Sequence, residues 1–189
     1  ESLNLLVDQM REQDLISIVV YAGSSGLALP PTSGKEKTKI KNTINLLESG
    51  GSTAGGAGIE LAYKTAIENF KTNGNNRVIL ATDGDFNVGI SNENDLERLI
   101  EDKRKSGVFL TCLGFGMGNY KDSKLEILAD KGNGQYAYIN DIKEAKKLFI
   151  HEFGGTLYTV AKDVKTQIEL NPKYVASYRL IGYENRLLN

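Results

Sequence analysis

The 189-residue sequence is poor in the side chains that most metal and nucleophile chemistry relies on. It contains one cysteine, Cys112, so no internal disulfide can form. Cys112 lies in Val108-Phe109-Leu110-Thr111-Cys112-Leu113, a buried-strand pattern in which a free thiol packs as a small hydrophobe. The single histidine, His151, falls near the end of a helical pattern and is expected in a core or capping role. A zinc site of the His/Cys kind, or a Cys–His or Ser–His nucleophile pair, therefore has almost no material. Charge of one sign is also lacking. With 23 Lys and Arg against 24 Asp and Glu, the formal net charge is −1. That excludes the positive field on which general nucleic-acid and membrane-surface binders depend. No apolar run approaches the roughly 20 residues that a membrane-spanning helix needs, and no secretory leader is visible. The chain opens at Glu1, directly in a helical pattern, as expected of a segment of a longer protein.

What is present is ordinary for a globular α/β chain: 40% hydrophobic and 25% charged residues, enough for one good-sized domain and a small addition. No internal repeat or low-complexity tract occurs. Residues 1–13 read as a helix, with Leu3, Leu6, Val7 and Met10 on one stripe. Leu15 to Tyr21 is a β-branched run suited to a strand buried on both faces. The Gly/Ser/Pro-rich stretch Ala22 to Gly34 includes Leu27-Ala28-Leu29, a short edge strand before Pro30-Pro31. Helical patterns follow at 35–48, at about 59–70, near 94–105, near 122–131 and at 141–153. Strand patterns occur at 77–82, about 107–113 and 135–139. Strands alternating with helices predict a doubly wound, mostly parallel sheet covered on both faces. After about residue 155 the pattern changes to alternation in 158–170 and 174–181 around Asn171-Pro172-Lys173. This predicts a β-hairpin from a second, all-β unit. Two strands alone cannot build an independent core.

Two clusters carry candidate chemistry. The first is Gly50-Gly51-Ser52-Thr53-Ala54-Gly55-Gly56-Ala57-Gly58, ahead of the strongest helix. It lacks the Gly-Lys-Ser/Thr ending of a phosphate loop and does not directly follow a strand pattern, so it fits neither nucleotide fingerprint. Its plain role is a tight turn with Thr53 as helix cap. The second is Asp83-Gly84-Asp85, running directly out of the buried strand Arg77 to Thr82. Beyond strand carboxyl ends is where open α/β sheets place ligands; the alternative is a turn aspartate bonding its own backbone. Together the clusters offer one hydroxyl and one or two carboxylates, an oxygen-only set suited to a hard cation such as Mg²⁺ or Mn²⁺. An ion so held keeps an open position for an incoming carboxylate. It has no accompanying base or nucleophile.

In this order the segments Gly51-Ser52-Thr53-Ala54-Gly55-Gly56-Ala57-Gly58-Ile59, Val78-Ile79-Leu80-Ala81-Thr82-Asp83-Gly84-Asp85, Gly107-Val108 through Gly114-Phe115-Gly116, and Gly134-Gln135-Tyr136-Ala137-Tyr138-Ile139 resemble the von Willebrand factor type A family over residues 1–155. The resemblance implies a metal-ion-dependent adhesion site built from an Asp-x-Ser-x-Ser motif on the first strand, a threonine and an aspartate. Thr53 matches the metal threonine and Asp83 the metal aspartate, with Ser52 and Asp85 as supporting groups behind the ion. The Asp-x-Ser-x-Ser motif would precede the first helix, and nothing precedes Glu1. The expected sheet therefore lacks its first central strand, and the metal site is incomplete in this chain. The gap invites rearrangement, a partner strand, or strand exchange and self-association. Residues 156–189, through Thr159 to Lys165 and Tyr178 to Arg186, resemble the start of a β-rich companion domain in a bacterial group of exported or lipid-anchored proteins. That implies an extracytoplasmic, periplasmic or cell-surface location.

Three functions follow from these residues. The first is a non-enzymatic binding module that grips a carboxylate of a protein partner through Mg²⁺ or Mn²⁺. The second is an assembly scaffold without a working metal site. The third is an enzyme that binds nucleotide on the Gly-rich loop or transfers phosphoryl groups with Asp83 and Asp85. The last has the least support, because the loop carries no basic residue and no general base lies near it.

Overall fold

A computed structural model describes residues 1–21, 26–47, 55–82, 93–116, 123–152 and 168–179. The elements are α1 (Ser2–Gln9), β1 (Leu15–Val20), β2 (Gly26–Ser33), α2 (Lys37–Asn45), α3 (Gly55–Glu68), β3 (Arg77–Thr82), α4 (Glu93–Arg104), β4 (Phe109–Phe115), α5 (Ser123–Lys131), β5 (Tyr136–Ile139) and α6 (Ile142–Lys146). A π-helical stretch, Lys147–Glu152, continues α6. The chain divides into two units, Glu1–Tyr158 and Thr159–Asn189, and every helix and strand above belongs to the first.

Among the described residues the first unit is an α/β layer structure with two sheets. β3, β4 and β5 form a parallel sheet in that order, in register from Arg77↔Phe109 to Thr82↔Gly114 and from Cys112↔Tyr136 to Phe115↔Ile139. β1 and β2 form an antiparallel pair. The pair breaks register where Pro30 and Pro31 face the single residue Ser17, between Ile16↔Thr32 and Ile18↔Leu29. Prolines donate nothing to a ladder, so a bulge is where an edge strand accommodates them. β2 is accordingly longer than the Leu27-Ala28-Leu29 edge strand expected from sequence.

The period-two pattern of β3 and β4 divides their side chains between two faces. Val78, Leu80, Leu110 and Cys112 join Ile59 and Tyr63 of α3, Leu96 and Ile100 of α4, and Leu125 and Leu128 of α5 in the main core. Ile79 and Leu113 point the other way, toward Phe149, Ala145 and Leu3, Leu5 and Leu6 of α1. A third cluster joins Val7 of α1 to Leu29, Ile40, Ile16 and Ile18. α1 therefore lies over both sheets: Leu3, Leu5 and Leu6 reach the parallel sheet, and Val7 reaches the antiparallel pair. On the opposite face α3 packs against β1, β2 and β3. At the end of α4 the chain reverses through Gly107, whose φ of +84° is a left-handed helix terminus that glycine adopts without strain.

In the second unit the described residues 168–179 contain the expected turn at Asn171-Pro172-Lys173. Asn171 accepts from the Lys173 amide through its side chain, and from the Tyr174 and Val175 amides through its carbonyl. No strand flanks this turn among the described residues, and Ile168, Tyr174 and Tyr178 are strongly exposed. The alternating pattern is present in sequence, and an isolated pair of strands is marginal.

Candidate functional site

The parallel sheet directs the carboxyl ends of β3, β4 and β5 to one edge of the first unit, and α3 begins beside that edge. Tyr21 joins these parts. It directly follows β1, and its hydroxyl donates to the carbonyl of Ala81, one residue before the end of β3, at 2.8 Å. Its Cβ also packs so tightly against Gly58, in the first turn of α3, that a Cβ placed on Gly58 would lie 2.4 Å away. One side chain thus ties the carboxyl ends of β1 and β3 to the amino end of α3. Gly55, Gly56 and Gly58 are buried, and the first turn of α3 carries no acidic residue. At a helix start the first N–H groups have no intrahelical acceptor, and the helix dipole adds partial positive charge. At the end of β4 a similarly close approach occurs. A Cβ on Gly114 or Gly116 would lie 3.0 Å from the ring or hydroxyl of Tyr138. Thr82, the last residue of β3, is buried beside Gly114.

Of the residues singled out in the sequence, Ser52, Thr53, Asp83 and Asp85 lie outside the described residues. Their described neighbours are Gly55, which opens α3 two residues after Thr53, and Thr82, which closes β3 one residue before Asp83. Those two residues sit at the ends that Tyr21 ties together. Sequence inspection read Tyr21 only as the last residue of a strand. Its signal was its place between a β-branched run and a Gly/Ser loop, where a large aromatic has two neighbours to reach. Among the described residues, no group of three or more His, Cys, Asp or Glu side chains comes together as a metal site.

Two titratable groups that burial perturbs, Tyr63 and Arg77, belong to the core rather than to this edge. Burial, with the Cys112 thiol nearby, pushes the Tyr63 hydroxyl above the ordinary tyrosine range. Burial alone lowers the Arg77 guanidinium, which donates to Thr111 Oγ1 at 2.6 Å. Cys112 itself is fully buried, as its strand pattern required. A depression of about 590 Å³ between α5 and β5 is lined by Ser123, Glu126, Ile127, Lys131 and Tyr136. It opens at the amino end of β5, away from the tied carboxyl ends.

A sheet edge of this kind beside a glycine-rich helix start, on an α/β layer structure, defines a class. The chain belongs to the von Willebrand factor type A domain family, whose model matches residues 1–151. Residues 155–189 match a second family, described as uncharacterized protein YfbK, C-terminal. The uncharacterized protein YfbK of Escherichia coli (strain K12) is 51% identical over 187 residues, which are 99% of this chain and 32% of that protein. The chain therefore spans about a third of that relative's length. Among solved structures, proximal thread matrix protein 1 from the mussel byssus superposes with a TM-score of 0.60 at 24% identity, covering 78% of this chain and 38% of that one. A second structure of that protein, with a zinc-occupied MIDAS motif, gives a TM-score of 0.59 at 21% identity over 78% and 39% of the two chains. The SpRpn10 VWA domain gives 0.56 at 17% identity over 73% and 72%. At these identities the likeness establishes the fold. No described helix is long and apolar enough to cross a membrane.

Proposed function

We propose that this chain is a divalent-cation-dependent protein-binding module, with Thr53 and Asp83 as cation ligands and Ser52 and Asp85 as supporting acceptors. The observation that carries the proposal is the tie made by Tyr21. It holds the start of α3 against the end of β3, and those are the two anchors from which the Thr53 and Asp83 segments leave. A hydroxyl and a carboxylate are hard oxygen donors, suited to Mg²⁺ or Mn²⁺. When bound, such an ion supplies a charged position for a partner's carboxylate. The buried glycines Gly55, Gly56 and Gly58 let the helix start approach without side-chain obstruction, and no acid in the first turn competes for the cation. The zinc-occupied MIDAS motif of the mussel protein shows that another member of this fold holds a metal. Catalysis is not part of the proposal, which asks of the cation only that it hold a partner's carboxylate. The extracytoplasmic location implied by the sequence resemblance belongs to the same proposal and is checked by fractionating the full-length relative.

The test is thermal melting of the chain with Mg²⁺, Mn²⁺ or chelator, with Asp83→Ala alongside. A ligand at about 100 times its Kd stabilises the native state by about 2.7 kcal/mol. A metal-dependent rise in Tm that Asp83→Ala abolishes is the expected result. Equal melting in metal and chelator would overturn it and leave the second reading, a scaffold without a working metal site. That reading is favoured by one observation: β1 and β3 are not paired with each other among the described residues.

A further inference from the structure

Only two asparagines of the chain precede a glycine: Asn73 before Gly74, and Asn133 before Gly134. Asparagine is a chemically labile residue, most of all before glycine, which has no Cβ to shield its amide nitrogen. That nitrogen loses its proton and attacks the asparagine Cγ. The side-chain nitrogen leaves as ammonia and a succinimide ring closes. Water then opens the ring at either carbonyl, giving aspartate or isoaspartate, the second with its main chain running through Cγ. Water is the only co-reactant. The glycine peptide must swing toward Cγ before the ring can close, so the packing around it governs the rate. The structure places the two pairs in opposite surroundings. Asn133-Gly134 lies in the turn from α5 to β5, which is bonded to both neighbours. The Gly134 amide donates to the Ala129 carbonyl at 2.8 Å. The Leu110 and Cys112 amides donate to the Gly132 and Gln135 carbonyls, each at 2.9 Å. A Cβ on Gly134 would lie 1.6 Å from the Leu110 carbonyl oxygen, so this peptide has no room to swing. Asn133 Oδ1 also accepts from Arg104 at 3.4 Å.

Asn73-Gly74 lies in the turn from α3 to β3, where residues 71–75 are all exposed. The Gly74 amide donates inside its own turn, to the Lys71 carbonyl at 2.9 Å. The atoms nearest to a Cβ on Gly74 all belong to Lys71. Exposed turns with few contacts open locally at little cost. What braces this one is Asn76. Its Oδ1 accepts from the Lys71 amide at 2.9 Å, and its Nδ2 donates to the Lys71 and Gly74 carbonyls at 2.8 and 3.3 Å. We propose that Asn73 is a site of spontaneous deamidation in the folded chain, that the fold protects Asn133, and that the Asn76 brace sets the rate at Asn73. The reaction adds one negative charge to a chain of formal net charge −1. The isoaspartate product also inserts one carbon into the main chain of a turn whose Lys71 holds the Gln13 carbonyl, ahead of β1. The change falls at the amino ends of β1 and β3, away from the carboxyl edge, and needs no cation. It is therefore testable separately from the metal proposal.

The experiment incubates the folded chain at mildly alkaline pH and follows both pairs by peptide mass spectrometry. Conversion is scored by the gain of one mass unit, and isoaspartate is told from aspartate by electron-transfer fragmentation. Synthetic peptides spanning 70–77 and 130–137 supply the unrestrained rates. The expected result is conversion of Asn73 at least tenfold faster than Asn133 in the folded chain, with the two peptides reacting at similar rates. Equal rates at the two sites in the folded chain, or faster conversion at Asn133, would overturn the inference. So would an Asn73 slowed as strongly as Asn133 relative to its peptide. Asn76→Ala should raise the rate at Asn73 at least threefold and leave Asn133 unchanged; an unchanged or lower rate at Asn73 would remove Asn76 from the proposal. If Asn76→Ala speeds both sites, it has loosened the whole fold. Asn76→Asp, which keeps only the acceptor for the Lys71 amide, is then judged by the same two rates.

Discussion

Gly58→Ala is the sharpest probe of the contact that joins the start of α3 to the end of β1. A Cβ at position 58 would lie 2.4 Å from the Tyr21 Cβ and 3.2 Å from its Cγ. The first distance is far inside any tolerated carbon–carbon contact. A Cβ is fixed to its own backbone, so no rotamer change relieves it; α3 and β1 must separate by roughly an ångström. Overpacking of this kind costs about 1–3 kcal/mol. Alanine is favoured over glycine inside a helix by about 0.5–1 kcal/mol; because the 2.4 Å approach is severe, the penalty belongs in the upper part of its range, about 2–3 kcal/mol, which leaves a net loss of about 1–2 kcal/mol. For a domain of this size that is a fall in Tm of about 2–8 °C. The atoms involved predict an unusual double-mutant cycle. Tyr21→Ala keeps the Cβ and should leave most of the Gly58→Ala penalty in place. Tyr21→Gly removes it and should turn Gly58→Ala neutral or mildly stabilising. Denaturant melts of the five variants supply every term of the cycle. A neutral Gly58→Ala in the wild-type background, or full relief by Tyr21→Ala, would refute the close approach of α3 to β1.

Other positions give independent checks. Gly134→Ala would place a Cβ 1.6 Å from the Leu110 carbonyl oxygen, a backbone atom that no rotamer can move. It should cost more than Gly58→Ala, with loss of soluble folded protein or a Tm fall beyond that of Gly58→Ala. The Tyr63 hydroxyl is buried and has no hydrogen-bond partner among the described residues. Tyr63→Phe should therefore be neutral or stabilising by about 1 kcal/mol in denaturant melts, since it removes an unsatisfied polar group. Burial raises the Asp14 carboxyl, but the Arg11 side chain and amide outweigh it and hold the group below its ordinary value. Because the folded pKa is depressed, the associated stability is present above about pH 4, the ordinary aspartate range, and is lost as pH falls through the folded value. Asp14→Asn should cost up to about 1 kcal/mol at pH 7, and progressively less as pH falls below the ordinary aspartate range, as read from melts across pH.

The layer order was legible in the sequence because it rests on local periodicity. Ile59, Tyr63, Val78, Leu80, Leu110 and Cys112 recur at helical and strand spacings, and all of them lie in the main core. What periodicity does not carry is pairing. The run Leu15 to Tyr21 reads as a strand buried on both faces, yet each residue of β1 past Leu15 is only half-buried, and among the described residues the strand pairs with β2 alone. Its composition reports the environment such a strand is suited to, and its pairing is decided by which strands stand beside it. β2 was read too short for a related reason. Pro30 and Pro31 look like strand breakers, whereas an edge strand with a bulge tolerates both because nothing has to accept from them.

At the proposed site, the sequence pointed to residues with ligating atoms and missed the tyrosine that joins their described neighbours. Thr53 and Asp83 stand out by chemistry, but chemistry says nothing of what brings the start of α3 to the end of β3. That link is Tyr21, which is 37 residues from Gly58 and 60 from Ala81 along the chain. A tyrosine after a β-branched run reads as one more strand residue, so its role becomes visible only when three elements are placed together. Tyr21→Phe removes only the bond to Ala81 and keeps the packing on Gly58. It should cost about 1 kcal/mol in denaturant melts and leave the Gly58→Ala penalty in place; relief of that penalty by Tyr21→Phe would show that the hydroxyl, and not the Cβ, sets the approach of α3.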